Sequence, residues 1–418
     1  MTQTQNPPVP GASFDLPGVP GQTQWFDEYE DTEDLPVTLP ASTATPLLGI
    51  ADFRRTDIVF NWRHKLNITT QDYVAGTETL NASAYAPYNV LGPVKLKIQN
   101  QYSAVDVENG IDIAIFNAIR PRLRSDRRGN NGANPAGDPV GATGQGYLNA
   151  STPQANLVAP AHWTDASTAY EWMFDIPGGK WFDEYYALDI AGNMLGGGGP
   201  VFVSPQYLAG TQRLIKTSIK LNPGLAATTD EGPVVANGTI TTPATFAGSG
   251  TLSIRRQGVY GSNSVATLPP QQPWQYSLQT NRLPIAGVSQ KVLQVPDETG
   301  QLLCLYGRMF DPLAASGIGA PIQLSEVTKI EMTYGSGLSW FDGTPDEMQL
   351  KWLEQHGFLL PQGVFAFDFA IDENDRFSNK RALNTLTTAG IQCKLYFSSP
   401  TSADAYCVLG TESLVYVT

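Results

Sequence analysis

The strongest constraint on the fold of this chain is an internal repeat. Trp181-Phe182-Asp183 recurs as Trp340-Phe341-Asp342, an offset of 159 residues. Three further matches keep the same order, at offsets between 156 and 160: 170–174 with 330–334, 202–206 with 358–362, and 250–254 with 410–414. Ordered matches at a nearly constant offset predict a tandem duplication of a domain of roughly 160 residues. The alternative is shared turn chemistry in unrelated strands.

The apolar residues of both halves indicate β-structure. Alternating patterns at 58–62, 94–98 and 111–115 predict half-buried strands. The chain also contains 40 glycines and 31 prolines, which separate these strands with turns. Eight or so strands in a unit of this size favour a jelly roll, in which two packed sheets protect their edges. We therefore expect an all-β protein with two tandem eight-stranded jelly rolls and a few short helices in the connections.

One helix is well specified near residue 344. Thr344 is a suitable N-cap, Pro345 suits the first helical position, and Glu347 completes a capping box. Gly357 provides the stop. The apolar residues between them, Met348, Trp352 and Leu353, predict one face that packs on a sheet.

The chain divides into three predicted segments. Residues 1–50 form an arm that is acidic and proline-rich, contains no Lys or Arg, and precedes the first strand-like pattern. Residues 51–257 form the first jelly roll, and residues 258–418 form a junction and the second. Trp25, Phe26 and Tyr29 make the arm too aromatic for a solvated linker, so they are candidate contacts with a neighbouring subunit. An ordered tail on the chain's own domain is the alternative.

The charge balance argues against nucleic acid as a general partner. Lys and Arg total 26 against 39 Asp and Glu, a formal charge of −13, which disfavours diffuse binding to nucleic acid or an anionic membrane. One basic cluster follows the predicted 111–119 strand: Arg120, Arg122, Arg124, Arg127 and Arg128. It is read either as a nucleic-acid contact or, with more support, as an inter-subunit contact with acidic residues of another copy or of the arm.

The residues that carry chemistry form no recognisable site. The three histidines and three cysteines lack metal-ligand and redox spacings, and the common nucleotide-binding and hydrolase motifs are missing from the sequence. We therefore predict no catalytic residue, no cofactor and no metal site. Two carboxylates that meet only in space remain compatible with a carbohydrate-active protein.

Three segments of the second half carry a resemblance to a known family. They are Lys329-Ile330-Glu331-Met332-Thr333-Tyr334, the capped helix through Trp352, and Leu360-Pro361-Gln362-Gly363-Val364-Phe365-Ala366-Phe367-Asp368-Phe369. In this order they resemble the second jelly roll of tectivirus-like major capsid proteins, the coat proteins of tailless bacteriophages with an internal membrane. Gln212-Arg213-Leu214 similarly resembles a step of that family's first jelly roll.

The resemblance implies a structural role in the capsid shell of a virion, with synthesis in the host cytoplasm and no enzymatic activity. Three chains would form a pseudo-hexagonal capsomer, and capsomers would tile an icosahedral shell. Implied partners are copies of the chain, neighbouring capsomers, penton or minor capsid proteins and an internal membrane, with no specific nucleic-acid binding. A carbohydrate-active or carbohydrate-binding β-sandwich and a trimeric receptor-binding spike are the alternatives.

Overall fold

The computed structural model describes the β-sheets of both halves and two helices. The described residues are 14–15, 23–24, 26–39, 47–53, 58–70, 79–82, 91–98, 102–119, 169–177, 180–182, 201–203, 215–221, 234–237, 248–261, 274–296, 300–312, 320–335, 337–356, 359–360, 363–369, 383–384 and 390–416. Trp25 and the arginine cluster at 120–128 lie outside them.

Among the described residues, the first half contains fourteen strands and one helix. They are β1 (Phe14–Asp15), β2 (Thr23–Gln24), β3 (Phe26–Leu39), β4 (Leu47–Phe53), β5 (Ile58–Thr70), β6 (Thr79–Ala82), β7 (Leu91–Ile98), β8 (Tyr102–Val107), α1 (Gly110–Ile119), β9 (Ala169–Pro177), β10 (Lys180–Phe182), β11 (Val201–Val203), β12 (Ile215–Leu221), β13 (Val234–Asn237) and β14 (Gly248–Gly261).

The second half, in its described residues, contains ten strands, one α-helix and a short 3-10 turn. They are β15 (Trp274–Pro284), β16 (Gln290–Gln294), β17 (Gly300–Asp311), β18 (Ala320–Pro321), the 3-10 turn Leu324–Glu326, β19 (Val327–Tyr334), β20 (Leu338–Gly343), α2 (Pro345–His356), β21 (Val364–Asp368), β22 (Leu383–Asn384), β23 (Gln392–Phe397) and β24 (Tyr406–Tyr416).

Eight strands in each half pair in the same order. The first half forms the sheets β3-β14-β5-β9 and β4-β12-β7-β8, and the second forms β15-β24-β17-β21 and β16-β23-β19-β20. When the eight strands of each half are renumbered 1 to 8 in chain order, one sheet has the strand order 1-8-3-6 and the other has the order 2-7-4-5. This is one jelly-roll topology used twice. The predicted all-β double jelly roll is therefore confirmed.

Side-chain alternation explains why these segments form two-layered sheets. In β23, Cys393, Leu395 and Phe397 are buried while the residues between them are half-buried. In β7, Val94 and Leu96 are buried on either side of the half-buried Lys95. One face of each of these two strands therefore enters the core and the other is more exposed, as period-2 patterns require.

The two jelly rolls share a sheet. β8, the fifth strand of the first roll, runs parallel to β15, the first strand of the second roll, which joins the two sets into one ten-stranded sheet. The helices occupy matching positions, because α1 follows the fifth strand of the first roll and α2 follows the fifth strand of the second.

Two sequence expectations concerning these helices need correction. The predicted strand at 111–119 is wrong, because these residues form α1. Its alternating isoleucines are buried together with Asp112, Phe116 and Ile119, so this helix has no exposed polar face among its described side chains and lacks the 3.6-residue pattern. The capped helix at 345–356 is confirmed, but Leu353 is 38% exposed and lies off its packed face.

The acidic segment also differs from expectation, since strands begin before residue 51. β3 pairs along its whole length with β14, and it forms an edge of its sheet in the described residues. An edge strand tolerates Pro36 and many charges because one side needs no partner. The division at residues 50 and 257 stays a prediction, and this pairing would place the start of the first jelly roll inside the acidic segment.

Candidate functional site: the junction of the two jelly rolls

The best-defined polar site in the described residues lies where the first jelly roll meets the second. The register pairs Leu278 of β15 with Val105 of β8, and Gln279 with Asp106. One residue beyond β8, the backbone N–H of Glu108 donates to the hydroxyl oxygen of Thr280 at 2.8 Å. The parallel contact is short, and the chain leaves it directly into α1.

Asn109 starts α1 and orients its first turn. Its side-chain Oδ1 accepts a hydrogen bond from the N–H of Ile111 at 3.0 Å, and its carbonyl oxygen accepts from the N–H of Asp112 at 3.0 Å. This is an N-cap, which pairs donors that the first helical turn would otherwise leave unsatisfied. The cap places Asp112 one turn into the helix, near its positive end, where a carboxylate is favoured.

Asp112 forms a buried ion pair with Arg308 of β17. Arg308 Nε lies 3.0 Å from Asp112 Oδ1, and Arg308 Nη2 lies 3.5 Å from Asp112 Oδ2. The side chains are 2% and 0% exposed, respectively. Tyr306, two residues earlier on β17, donates its hydroxyl to the backbone oxygen of Asp112 at 3.4 Å. The first jelly roll is thus bound to the second by charge and by hydrogen bonds.

Tyr406 of β24 adds an aromatic surface to this cluster. The guanidinium carbon of Arg282 lies 3.6 Å from the centre of the Tyr406 ring, and that of Arg308 lies 5.8 Å from it. Both distances suit cation–π attraction. Arginine is well fitted to this role because its planar group can stack on a ring while it binds a carboxylate.

Burial raises the pKa values of two residues of the cluster, Glu108 and Tyr306. Burial raises the pKa of Glu108, the nearby Asp112 carboxylate raises it further, and Arg282 and Arg308 oppose the shift. Burial also raises the pKa of Tyr306 well above its usual value, with a contribution from Asp112, so this phenol stays neutral. The arrangement holds α1 of the first jelly roll against β17 of the second.

The residues predicted as inter-subunit contacts are not part of this cluster's described contacts. Phe26 and Tyr29 lie in β3, with their backbones opposite Gly261 and Gly258 of β14. Trp25 and the five arginines, Arg120, Arg122, Arg124, Arg127 and Arg128, lie outside the described residues. Their role as inter-subunit contacts stays a prediction.

Sequence reasoning missed Asp112 and Arg308, although a signal was present. Each is the single charged residue in an otherwise apolar run, within 110–116 and 302–310 respectively. An isolated charge in a buried segment usually has a buried partner. The sequence indicates two such charges, but their pairing across 196 residues needs the fold.

The described part of the chain contains neither a metal-binding cluster nor a membrane-spanning helix. In it, no group of three or more His, Cys, Asp and Glu side chains is arranged to hold a metal ion. None of its helices has the length and apolarity needed to cross a bilayer. The three cysteines are buried free thiols.

Comparison with known proteins gives matches only at the level of structure. No protein-family model and no curated protein matches the sequence. The structure of the STIV MCP superposes with a TM-score of 0.56 at 12% identity, covering 93% of this chain and 97% of that chain. An atomic structure of Sulfolobus Turreted Icosahedral Virus gives 0.54 at 13% identity, covering 93% and 91%. PBCV-1 VP54, fitted into a reconstruction of the virophage Sputnik, gives 0.52 at 11% identity, covering 92% and 94%.

These structures are double jelly-roll major capsid proteins. The likeness extends over nearly the whole of each chain, so it includes both jelly rolls and their relative placement. At such low sequence identity, the likeness is evidence for the fold alone. The chain therefore has the double jelly-roll fold of viral major capsid proteins, as its sequence resemblance predicted.

Proposed function

We propose that this protein is a viral major capsid protein whose three copies form a pseudo-hexagonal capsomer, with capsomers tiling an icosahedral shell. The observation that carries the proposal is the duplication of one strand order on both sides of a buried junction. Two similar units per chain give six around a trimer, and six similar units can meet six neighbours in a closed lattice. Shell subunits need this kind of rigid repeat.

The finer parts of the proposal follow from the sequence resemblance. The capsomer would contact its neighbours and penton or minor capsid proteins in the virion of a tailless bacteriophage with an internal membrane. The chain would be made in the host cytoplasm and act through assembly, with no enzymatic turnover. Trp25, Phe26, Tyr29 and the arginine cluster at 120–128 would contribute to inter-subunit contacts.

The carbohydrate-active alternative finds little support in the described residues. A cleft beside α2 has aromatic walls that include Trp340, Phe341 and Trp352, but its lining contains the single carboxylate of Asp368. Glycoside hydrolysis ordinarily needs two carboxyl groups, about 5–9.5 Å apart. The capsid proposal instead uses the feature that dominates the structure, the repeated sandwich.

The solution mass of the purified chain tests the proposal. A species of three chain masses that survives dilution at moderate salt is expected, because shell subunits form large permanent interfaces. Electron microscopy of the same preparation should show flat, six-cornered particles and larger shells. A stable monomer would overturn the proposal, and an elongated trimer without a tiling base would favour the receptor-binding spike.

A further inference from the structure

The two sheets of the second jelly roll differ in how their outer faces are covered. In β17, residues 302–310 are all buried, because one face enters the core and the other binds Asp112 of the first jelly roll. In β23, residues 392–397 alternate between half-buried and buried. The sheet β16-β23-β19-β20 therefore has an outer face that is only partly covered, and β16 forms one edge of it in the described residues.

Hydrogen bonds at both ends of β16 show which of its residues bond to β23. The N–H of Phe397 donates to the carbonyl oxygen of Ser289 at 2.8 Å, and the N–H of Val295 donates to that of Ile391 at 3.0 Å. The register between these two bonds contains no bulge. Bonded and non-bonded pairs alternate in an antiparallel ladder, so the odd-numbered residues of β16 are the ones that bond to β23.

The even-numbered residues of β16 present their backbone groups to the free edge. The N–H and C=O groups of Gln290, Val292 and Gln294 point away from β23, and in the described residues β16 pairs with β23 alone. The three side chains are exposed as well, Val292 to 39%. An edge with unpaired backbone groups is a template for pairing with another chain.

This edge lacks the features that protect three other edges of the described sheets. β3 contains Pro36 and six acidic residues. The pairings of β4 with β12 and of β20 with β19 are each interrupted by a bulge. Proline, charge and bulges are the devices that keep edge strands apart. β16 has one charged residue, Lys291, and no proline, glycine or bulge.

The charges beside the edge are largely neutralised within the sheet. Lys394 Nζ lies 3.1 Å from Glu331 Oε1, and Lys329 Nζ lies 2.6 Å from Asp342 Oδ1. With Lys291, the four strands carry three lysines and two acidic residues, whereas the whole chain has a formal charge of −13. Two copies of an acidic chain can therefore approach each other at this sheet with little repulsion.

We propose that β16 pairs antiparallel with β16 of a second copy of this chain, about a two-fold axis at Val292. In this register Val292 faces Val292 of the other copy and Gln290 faces Gln294, so every outward backbone group of both strands is paired. Lys291 lies opposite Leu293. Such a contact is isologous and joins two bodies, so it joins one trimer to the next. The inference deepens the proposed function and rests on it.

Neighbouring registers satisfy the edge less well. An axis at Lys291 would set two lysines opposite each other, which is destabilising for cross-strand pairs. An axis at Leu293 would place Gln290 opposite Pro296, which has no N–H to donate. The axis at Val292 avoids both problems and gives the largest number of backbone hydrogen bonds.

Disulfide trapping tests the contact. Val292→Cys brings two thiols together across the axis, because Cα atoms of a bonded antiparallel pair lie about 5.5 Å apart and disulfides span about 4.4–6.8 Å. The three native cysteines are buried, so their background is low. Leu350→Cys is the control, since Leu350 is 55% exposed but lies on α2. Mild oxidation of assembled particles should give a 292–292 crosslink between trimers and no 350–350 crosslink, and isolated trimers should give neither.

A backbone variant provides an independent measurement. Val292→Pro removes an N–H that points away from β23, so the ladder within the chain stays complete. It should keep the trimer mass and the near-ultraviolet circular dichroism spectrum. Association between trimers should weaken about tenfold, since each two-fold contact loses two hydrogen bonds. Val292→Thr keeps the N–H and should associate like the wild type.

The outcomes separate this contact from the proposed function. Particles in which position 292 crosslinks only to other segments, or to none, overturn this contact alone. Equal association of Val292→Pro and Val292→Thr does the same, and so do wild-type trimers that never associate. A wild-type chain that stays monomeric overturns the proposed function and this contact together.

Discussion

Replacing Asp112 by asparagine should destabilise the protein by several kilocalories per mole, although the two side chains have nearly the same size. The change removes the charge that Arg308 Nε contacts at 3.0 Å. Arg308 is 2% exposed and Asp112 is 0% exposed, so water cannot replace the missing carboxylate without opening the junction. The substitution removes the carboxylate that contacts the Nε of a buried arginine.

The magnitude follows from this burial. Removing one partner of a buried ion pair costs about 3–5 kcal/mol, because the remaining charge stays desolvated. Lys95 and Asp106 provide a matched pair at 2.8 Å on neighbouring strands, with 38% and 31% exposure. Exposed pairs contribute about 0.2–1 kcal/mol. Asp112→Asn should therefore cost several times more free energy of unfolding than Asp106→Asn.

Equilibrium urea unfolding measures both variants. Tryptophan fluorescence and far-ultraviolet circular dichroism should be followed together, because a chain with two jelly rolls can unfold in more than one step. All samples need the same protein concentration, since association stabilises the folded state by mass action. A separate early transition in Asp112→Asn would report loss of the junction before loss of the two sandwiches.

The double variant Asp112→Leu with Arg308→Met completes the test. Replacing a whole buried pair by apolar residues of similar volume is often neutral or stabilising, whereas breaking it is costly. The double variant should therefore be more stable than either single variant. The reasoning would be refuted if Asp112→Asn and Asp106→Asn lowered the free energy of unfolding equally. It would also be refuted if the loss in the double variant were the sum of the losses in the two single variants.

Two further predictions concern other parts of the second jelly roll. Gly410→Ala should lower the free energy of unfolding by about 1–3 kcal/mol, because its added Cβ would overlap the ring of Tyr306. Thermal unfolding measures this loss, and Gly410→Ala should cause no such loss in a chain that also carries Tyr306→Ala. Glu331→Gln should cost about 1 kcal/mol at pH 7, with exposed Glu354→Gln as the control. Hydrogen bonds from Tyr396 and Lys394 lower the pKa of Glu331, so its contribution is present above the ordinary value of 4.5 and is lost as the pH falls below it. A penalty that persists at low pH would contradict this cause.

The presence of two jelly rolls could be predicted from the sequence, because alternating residues identify strands such as β7 and the ordered matches indicate a duplication. The matches do not align equivalent strands, however, since 170–174 lies in β9, the sixth strand of its roll, whereas 330–334 lies in β19, the fourth strand of its roll. The match of 250–254 with 410–414 does join equivalent strands, β14 and β24. The start of α2 was also predictable because its signal is local. Thr344 and Glu347 exchange the two hydrogen bonds of a capping box, at 2.7 and 3.3 Å.

Elements whose burial depends on distant parts of the chain could not be assigned from local patterns. In α1, isoleucines at 111, 113 and 115 imitate a strand because all three are buried, on a helix whose Asp112 also meets Tyr306 and Arg308 of the second jelly roll. β3 looked like an arm because its acidic residues and proline suit solvent. Its pairing with β14 joins segments more than 200 residues apart in sequence, and no local signal marks that register.

The contrast between α1 and α2 is also visible in their sequences. α1 reads Gly-Ile-Asp-Ile-Ala-Ile-Phe-Asn-Ala-Ile, which would be a large exposed apolar patch if the junction ever opened. α2 reads Pro-Asp-Glu-Met-Gln-Leu-Lys-Trp-Leu-Glu-Gln-His, with only two leucines outward among charged neighbours. The first composition suits a helix that is buried as the chain folds, whereas the second tolerates solvent, because two leucines can be exposed without forming a patch of that size. The same position in the duplicated unit thus carries a buried helix in one roll and a helix with an exposed face in the other.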